Sequence, residues 1–196
     1  MAKILTSKNG TKKEVIIQKA AQLFKSKSYT AASMRELAEA LGVEAPSLYN
    51  HIGSKSELLQ TICFKVGNRF TEQIGIIRGG SATVIAQIEE IIRFHIQMML
   101  ENFDEVYVAN HEWKHLSEPL LNDFLNIRRN YEKSLAELIE TGIEKNELKK
   151  TNPYVAVLTI LSAVRGIEFW HRNKKNISPQ MLEDDMVNHL LNGIAQ

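Results

Sequence analysis

The chain has 196 residues, 44% of them hydrophobic and 24% charged, an ordinary composition for a folded soluble protein and enough for one large domain or two small ones. The net charge of +1 hides an asymmetry: residues 1–60 hold nine Lys/Arg against five Asp/Glu, and the remainder fifteen against eighteen, so a basic front suited to a polyanion precedes a mildly acidic body. The lone Cys63 excludes an internal disulfide framework; with no run of 18 apolar residues and no apolar leader in MAKILTSKNGTKK, the expectation is a cytoplasmic protein with no membrane partner.

Apolar residues recur at three-and-four spacing almost throughout, with four prolines and little strand-like alternation, so the fold class is all-α, with about nine helices. The first should start after Thr11 and run to about Lys27, with Ile16, Ala20, Leu23 and Phe24 on one stripe. Ser33 and Glu36 in SMRE form a capping box that starts the second, whose inner face is Met34, Leu37, Ala38 and Leu41. Gly42 supplies the positive φ of a sharp turn, Val43 plugs the core, and Pro46 suits the first turn of a short third helix ending near His51. Gly53 closes it, and Ser54 and Glu57 in SKSE start a long fourth helix that places Cys63 on a buried face and reaches about Arg78. Beyond the Gly79–Gly80 break, helices are expected at about 82–101, 104–115, 118–146, 153–172 and 179–194, with Pro119, Pro153 and Pro179 at helix starts.

Ala38, Gly42, Val43 and Leu48 are spaced as two short helices crossing at a wide angle require, which is a helix-turn-helix or, more blandly, an ordinary helical hairpin. The first helix ending in LF, then SMRELAEALGV and SLYNHIGSKSELL, over residues 12–60, resembles the TetR family of bacterial repressors. The resemblance implies a head, residues 1–58, that binds double-stranded operator DNA as half of a homodimer, and an effector-binding and dimerisation body, residues 59–196. Carried over by position, Ser33, Arg35, Tyr49, His51 and Lys55 become phosphate contacts, while Ala45, Pro46, Ser47 and Asn50 face bases, with Met34 beside them. The chemistry agrees, since cations, hydroxyls and helix N-termini fix a protein on phosphate and Asn50 can hydrogen-bond a base edge. Glu44 departs from the small hydroxyl residue common in relatives and suits the helix N-terminus instead. Lys3, Lys8, Lys12 and Lys13 offer either further DNA contacts or a solvated tail.

In the body, the helices at 153–172 and 179–194 are expected to form the homodimer interface: Val155, Leu158, Leu161, Ala163, Val164 and Ile167 make the former apolar nearly all round, and Met186, Leu190, Leu191 and Ile194 give the latter a stripe. Phe94, Met98, Phe103, Tyr107, Trp113, Tyr131, Phe169 and Trp170, with Met99, supply core and the wall of a pocket for a small apolar effector. HEWKHL followed by P, R and Y is similar to a TetR subgroup that answers to acyl-thioesters, whose phosphates Arg128, Arg129, Arg165 and Arg172 could meet, although surface ion pairs explain these equally well.

Two other chemistries fit the same residues. His111, Glu112 and His115 spell H-E-x-x-H, the zinc-hydrolase pattern with both histidines on one helical face, but no third ligand follows and the chain reads as a regulator, not an enzyme. The pairs Glu112/His115 and Glu168/His171, with His95 on a third helix, resemble the arrangement by which helical bundles hold paired metals. No cofactor is required, and a bound iron, manganese or zinc ion is the alternative to an apolar or acyl effector. An architectural DNA binder with no effector is a further rival.

Overall fold

A computed structural model describes residues 11–172 and 177–194; Lys3 and Lys8 lie outside them. Among the described residues there are ten α-helices and no strand. They are α1 Lys12–Lys27, α2 Met34–Ala40, α3 Ala45–Tyr49, α4 Lys55–Arg78, α5 Val84–Glu101, α6 Phe103–His111, α7 Leu120–Glu144, α8 Pro153–Arg165, α9 Ile167–Arg172 and α10 Pro179–Ile194. The all-helical expectation holds, and local chemistry sets most of the boundaries. Thr11 and Glu14 cap α1 reciprocally, as Ser33 and Glu36 cap α2. At α4 the box is displaced: Ser54 Oγ accepts from the Glu57 N–H at 3.0 Å, but Glu57 reaches back to the Gly53 N–H at 2.9 Å.

Two expected helices are divided. The one expected over 104–115 starts at Phe103 and stops at His111, and the chain tightens into a 3-10 turn at Trp113–His115. The one expected over 153–172 breaks at Gly166, whose N–H is shared between the Ser162 and Ala163 carbonyls at 3.1 and 3.0 Å, a bifurcated closure typical of a helix end.

The chain forms two compact units. The first comprises the chain to Asn68 together with Asp104–Asn126, so α6 and the 3-10 turn pack with the helix-turn-helix. Its core is built from Ile16, Ala20 and Phe24 of α1, Leu37 of α2, Leu48 of α3 and Leu58, Leu59, Ile62 and Cys63 of α4, all essentially inaccessible to water. Each large side chain buried there contributes about 1.5–3 kcal/mol. The second comprises Arg69–Phe103 and residues from Ile127 onward, with α5 packed against α8, α9 and α10. Gly142 of α7 is required by packing: a Cβ there would lie 2.7 Å from Leu148 Cδ1 and 2.8 Å from Val84 Cγ1.

Candidate DNA-binding head and effector site

In the first unit, α2 and α3 are joined by a turn in which Gly42 takes φ 67°, a conformation that a Cβ disfavours. The Val43 N–H returns to the Ala38 carbonyl at 3.0 Å, and buried Ala38 and Leu48 hold the helices together. α3 begins at Ala45 with Pro46 in its first turn, and its Glu44 N-cap makes no side-chain capping bond. Arg35, Pro46, Tyr49, Asn50 and His51 are exposed; Met34, Ala45, Ser47 and Lys55 are half-buried. Asn50 is the C-cap of α3 and His51 follows it. Among the described residues Arg35 is held only by an i,i+4 ion pair to Glu39 at 3.2 Å, weak enough to yield to another anion. Lys12 and Lys13 are exposed on the first turn of α1.

Two expected phosphate contacts are engaged within the protein. The Ser33 hydroxyl accepts from the Glu36 N–H at 3.2 Å and donates to its carboxylate at 2.8 Å. The same Glu36 pairs with Lys27, and these partners hold its carboxyl down to about 2. Lys55 Nζ donates to the Tyr29 and Ala32 carbonyls, each at 2.8 Å, and lies 4.5 Å from the centre of the Tyr29 ring. Its ammonium thus ties the α1–α2 loop to the start of α4 and is not directed outward.

A residue that sequence reading assigned to metal chemistry reinforces this loop from the other side. Buried Glu112 accepts a hydrogen bond from the Tyr29 N–H at 3.1 Å and has the His115 imidazole 3.5 Å away, while that imidazole stacks on the Tyr29 ring at 5.4 Å. Tyr29 also meets Phe24 edge-on at 5.3 Å. Nothing in HEWKH predicts a partner 83 positions away in sequence.

In the second unit, His95 of α5 and Tyr131 of α7 share a buried hydrogen bond of 2.6 Å, and Phe70 lies flat against the imidazole with ring centroids 4.4 Å apart. Burial, with a smaller push from the Arg165 charge, takes His95 down to about 3, and burial raises the Tyr131 phenol. Phe94 meets Phe70 edge-on, Met98 and Met99 are buried, and His171 donates through Nε2 to the Met99 carbonyl at 2.7 Å while stacking on Phe103 at 3.8 Å. Trp170 meets the same imidazole edge-on at 5.0 Å. The expected pocket residues Phe94, Met98, Phe103, Tyr131 and Trp170 therefore belong to one unit. Tyr107, tilted against His111 at 4.3 Å, and half-buried Trp113 belong to the other. Phe169, expected in the same wall, is 68% exposed in the single chain.

A family model described as "Bacterial regulatory proteins, tetR family" matches residues 16–62, and one described as "Tetracyclin repressor-like, C-terminal domain" matches residues 81–194. The chain belongs to the TetR family. It is a DNA-binding transcriptional regulator of the repressor type. Among curated proteins it is similar to the HTH-type transcriptional repressor KstR2 of Mycolicibacterium smegmatis, 18% identical over 100% of this chain and 97% of that one. Among solved structures it is similar to the ketosteroid transcriptional regulator KstR2 of Mycobacterium tuberculosis, with TM-score 0.88, 16% identity and coverage of 99% of this chain and 100% of that one. A structure of AibR in complex with isovaleryl coenzyme A and operator DNA gives TM-score 0.80 and 23% identity over 91% of this chain and 97% of the other.

In this TetR-type chain the expected metal set is corrected. Among the described residues no group of three or more His, Cys, Asp and Glu side chains converges to hold an ion. The pairs fall in different units, Glu112/His115 in the first and Glu168/His171 in the second. His95 is bonded to Tyr131, His171 to a carbonyl and Glu112 to a backbone amide, while exposed His111 rests on Tyr107. The hydrolase pattern fails for a second reason: its two histidines do not share a continuous helix face, because α6 ends at the first and the 3-10 turn carries the second.

The unit around α5 leaves apolar surface uncovered. Tyr154, Val155 and Leu158 of α8, Phe169 of α9, Ile177 before α10 and Met181 in its first turn are all 40% exposed or more. The segment Pro153–Arg172 is long and apolar enough by composition to cross a membrane, but it breaks at Gly166 and carries Arg165, Glu168, His171 and Arg172.

Proposed function

We propose that this regulator represses from a palindromic operator in the cytoplasm as a homodimer and is released by a small apolar or acyl-type effector bound in the second unit. The observation that carries the effector reading is the aromatic and methionine-rich interior around Phe70, Phe94, Met98 and Phe103, interrupted by few polar groups, as sites for small apolar ligands are. Support comes from the fold it shares with AibR, which has been solved with isovaleryl coenzyme A and operator DNA.

On DNA, Arg35, Tyr49 and His51 meet phosphate, and Asn50 with Ala45, Pro46 and Ser47 faces bases; Ser33 and Lys55 hold the elements that present them. With so small a set of base readers, DNA shape carries much of the specificity. The two copies pair through α8–α9 and α10, covering Tyr154, Val155, Leu158, Phe169 and Met181, and the two-fold axis matches the operator's symmetry. Release is a population shift: the dimer samples several head spacings, and the effector favours one that does not fit the half-sites, by about 1–3 kcal/mol or more.

Fluorescence anisotropy on DNA flanking the protein's own gene tests this reading, with acyl-coenzyme A thioesters of increasing chain length added to the preformed complex. Release by at least one thioester is expected. Operator affinity unmoved by every thioester, or a monomer at micromolar concentration, overturns it.

A further inference from the structure

His95 and Tyr131 are each 8% exposed and joined by one hydrogen bond of 2.6 Å. The environment keeps both neutral: the imidazole is pushed down by burial and the Arg165 charge, and the phenol is pushed up by burial. A neutral imidazole carries one N–H and the phenol one O–H, so the pair holds two donor hydrogens. Their mutual bond uses one. If Nε2 accepts from the phenol, the imidazole keeps its Nδ1–H; if Nε2 donates, the phenol keeps its O–H. In either tautomer one donor hydrogen is left over, and among the described residues neither side chain makes another hydrogen bond.

Two apolar side chains of similar volume would fill the space between α5 and α7 without leaving a donor hydrogen over. The surroundings narrow what can answer it. Phe70 covers the imidazole face at 4.4 Å and meets Tyr131 edge-on at 6.0 Å, and Phe94 flanks Phe70 at 5.5 Å. Arg165, the nearby cation, is exposed to solvent. One hydrogen from a neutral pair among aromatic walls suits a single neutral acceptor and cannot offset a desolvated carboxylate.

We propose that the His95–Tyr131 pair is the polar reader of the effector site, donating its remaining hydrogen to the carbonyl oxygen of an otherwise apolar acyl group that lies against Phe70 and Phe94. This rests on the acyl-effector reading above and adds to it the group recognised and the residues that recognise it.

The test compares acyl-coenzyme A thioesters (isovaleryl, hexanoyl, octanoyl) with the matching alkyl thioethers, which lack only the carbonyl oxygen, by titration calorimetry on the full-length protein. The wild type is expected to prefer the thioester about tenfold. The H95F/Y131F double variant, which removes both hydrogens, is expected to bind the two alike, and the single variants show which atom donates. Equal wild-type affinities, as when water answers the spare hydrogen, or a preference undiminished in the double variant, overturn the reader while leaving the acyl effector standing. No binding by any thioester removes the acyl reading, and this inference with it. If H95F/Y131F does not fold, H95L/Y131F, which removes the same two hydrogens with less bulk, takes its place.

Discussion

The neutral, buried His95 makes stability depend on pH in a direction that can be worked out. In the unfolded chain an imidazole titrates near 6.5, whereas in the folded protein burial and the Arg165 charge hold it down to about 3. Between those values the unfolded chain binds a proton that the folded protein refuses. The contribution is therefore fully present above pH 6.5 and is lost as pH falls toward 3. At pH 5 the fall spans about a unit and a half, which at about 1.4 kcal/mol per unit amounts to about 2 kcal/mol. Urea unfolding at pH 7.5 and pH 5.0 measures it, with protein concentration fixed because dimerisation adds to apparent stability. His95→Gln is the reference: it can still accept from Tyr131 but does not titrate, and every other titrating group is common to both proteins. The wild type is expected to lose about 2 kcal/mol more than the variant between the two conditions. Equal losses would refute the neutral buried imidazole, and with it the hydrogen count on which the effector reading is refined.

Three further outcomes follow from the first unit. Lys55→Ala removes an ammonium that serves the Tyr29 and Ala32 carbonyls, so it should destabilise the protein by about 1–3 kcal/mol while leaving the salt dependence of operator binding unchanged; a slope shallower by about one would return Lys55 to the phosphates. Tyr49→Phe removes an exposed hydroxyl from the end of α3 and should weaken operator binding about fivefold with unchanged melting temperature; unaltered anisotropy titrations would take Tyr49 off the DNA. Glu112→Ala leaves the Tyr29 N–H without its acceptor, and should cost about 1–3 kcal/mol and speed hydrogen exchange at that amide; unchanged exchange would show that the carboxylate does not hold the loop.

The helices were legible wherever a local rule fixes them. The helix start after Thr11, the reciprocal cap at Ser33/Glu36, the positive φ at Gly42 and the prolines at the starts of α3, α8 and α10 are decided by neighbours within four residues, and sequence reading finds such signals. The two divided helices were not legible. Apolar spacing continues through Glu112 and through Gly166, so periodicity alone extends a helix that the backbone has already closed, by a 3-10 turn after the first and by one N–H shared between two carbonyls at the second.

The candidate sites divide along the same line. Exposed Tyr49, Asn50 and His51 follow from their place at the end of a short helix and need no distant partner. Lys55, Glu112 and His95 carry chemistry-bearing side chains whose use is set by what lies opposite: a loop 23 to 26 residues earlier, an amide 83 away and a phenol 36 away. A charged side chain at helical spacing is compatible with phosphate, metal or a backbone cap, and only the contact chooses among them. Glu112 shows the consequence most clearly. The carboxylate that completes H-E-x-x-H on paper accepts the Tyr29 N–H in the fold, and Lys55 takes the Tyr29 carbonyl, so two side chains read as a metal ligand and a DNA contact hold opposite sides of the same residue. The loop is held from both sides, so the loss of either group should be felt first in the presentation of α2 and α3, and through it in operator affinity, with no contact to DNA removed.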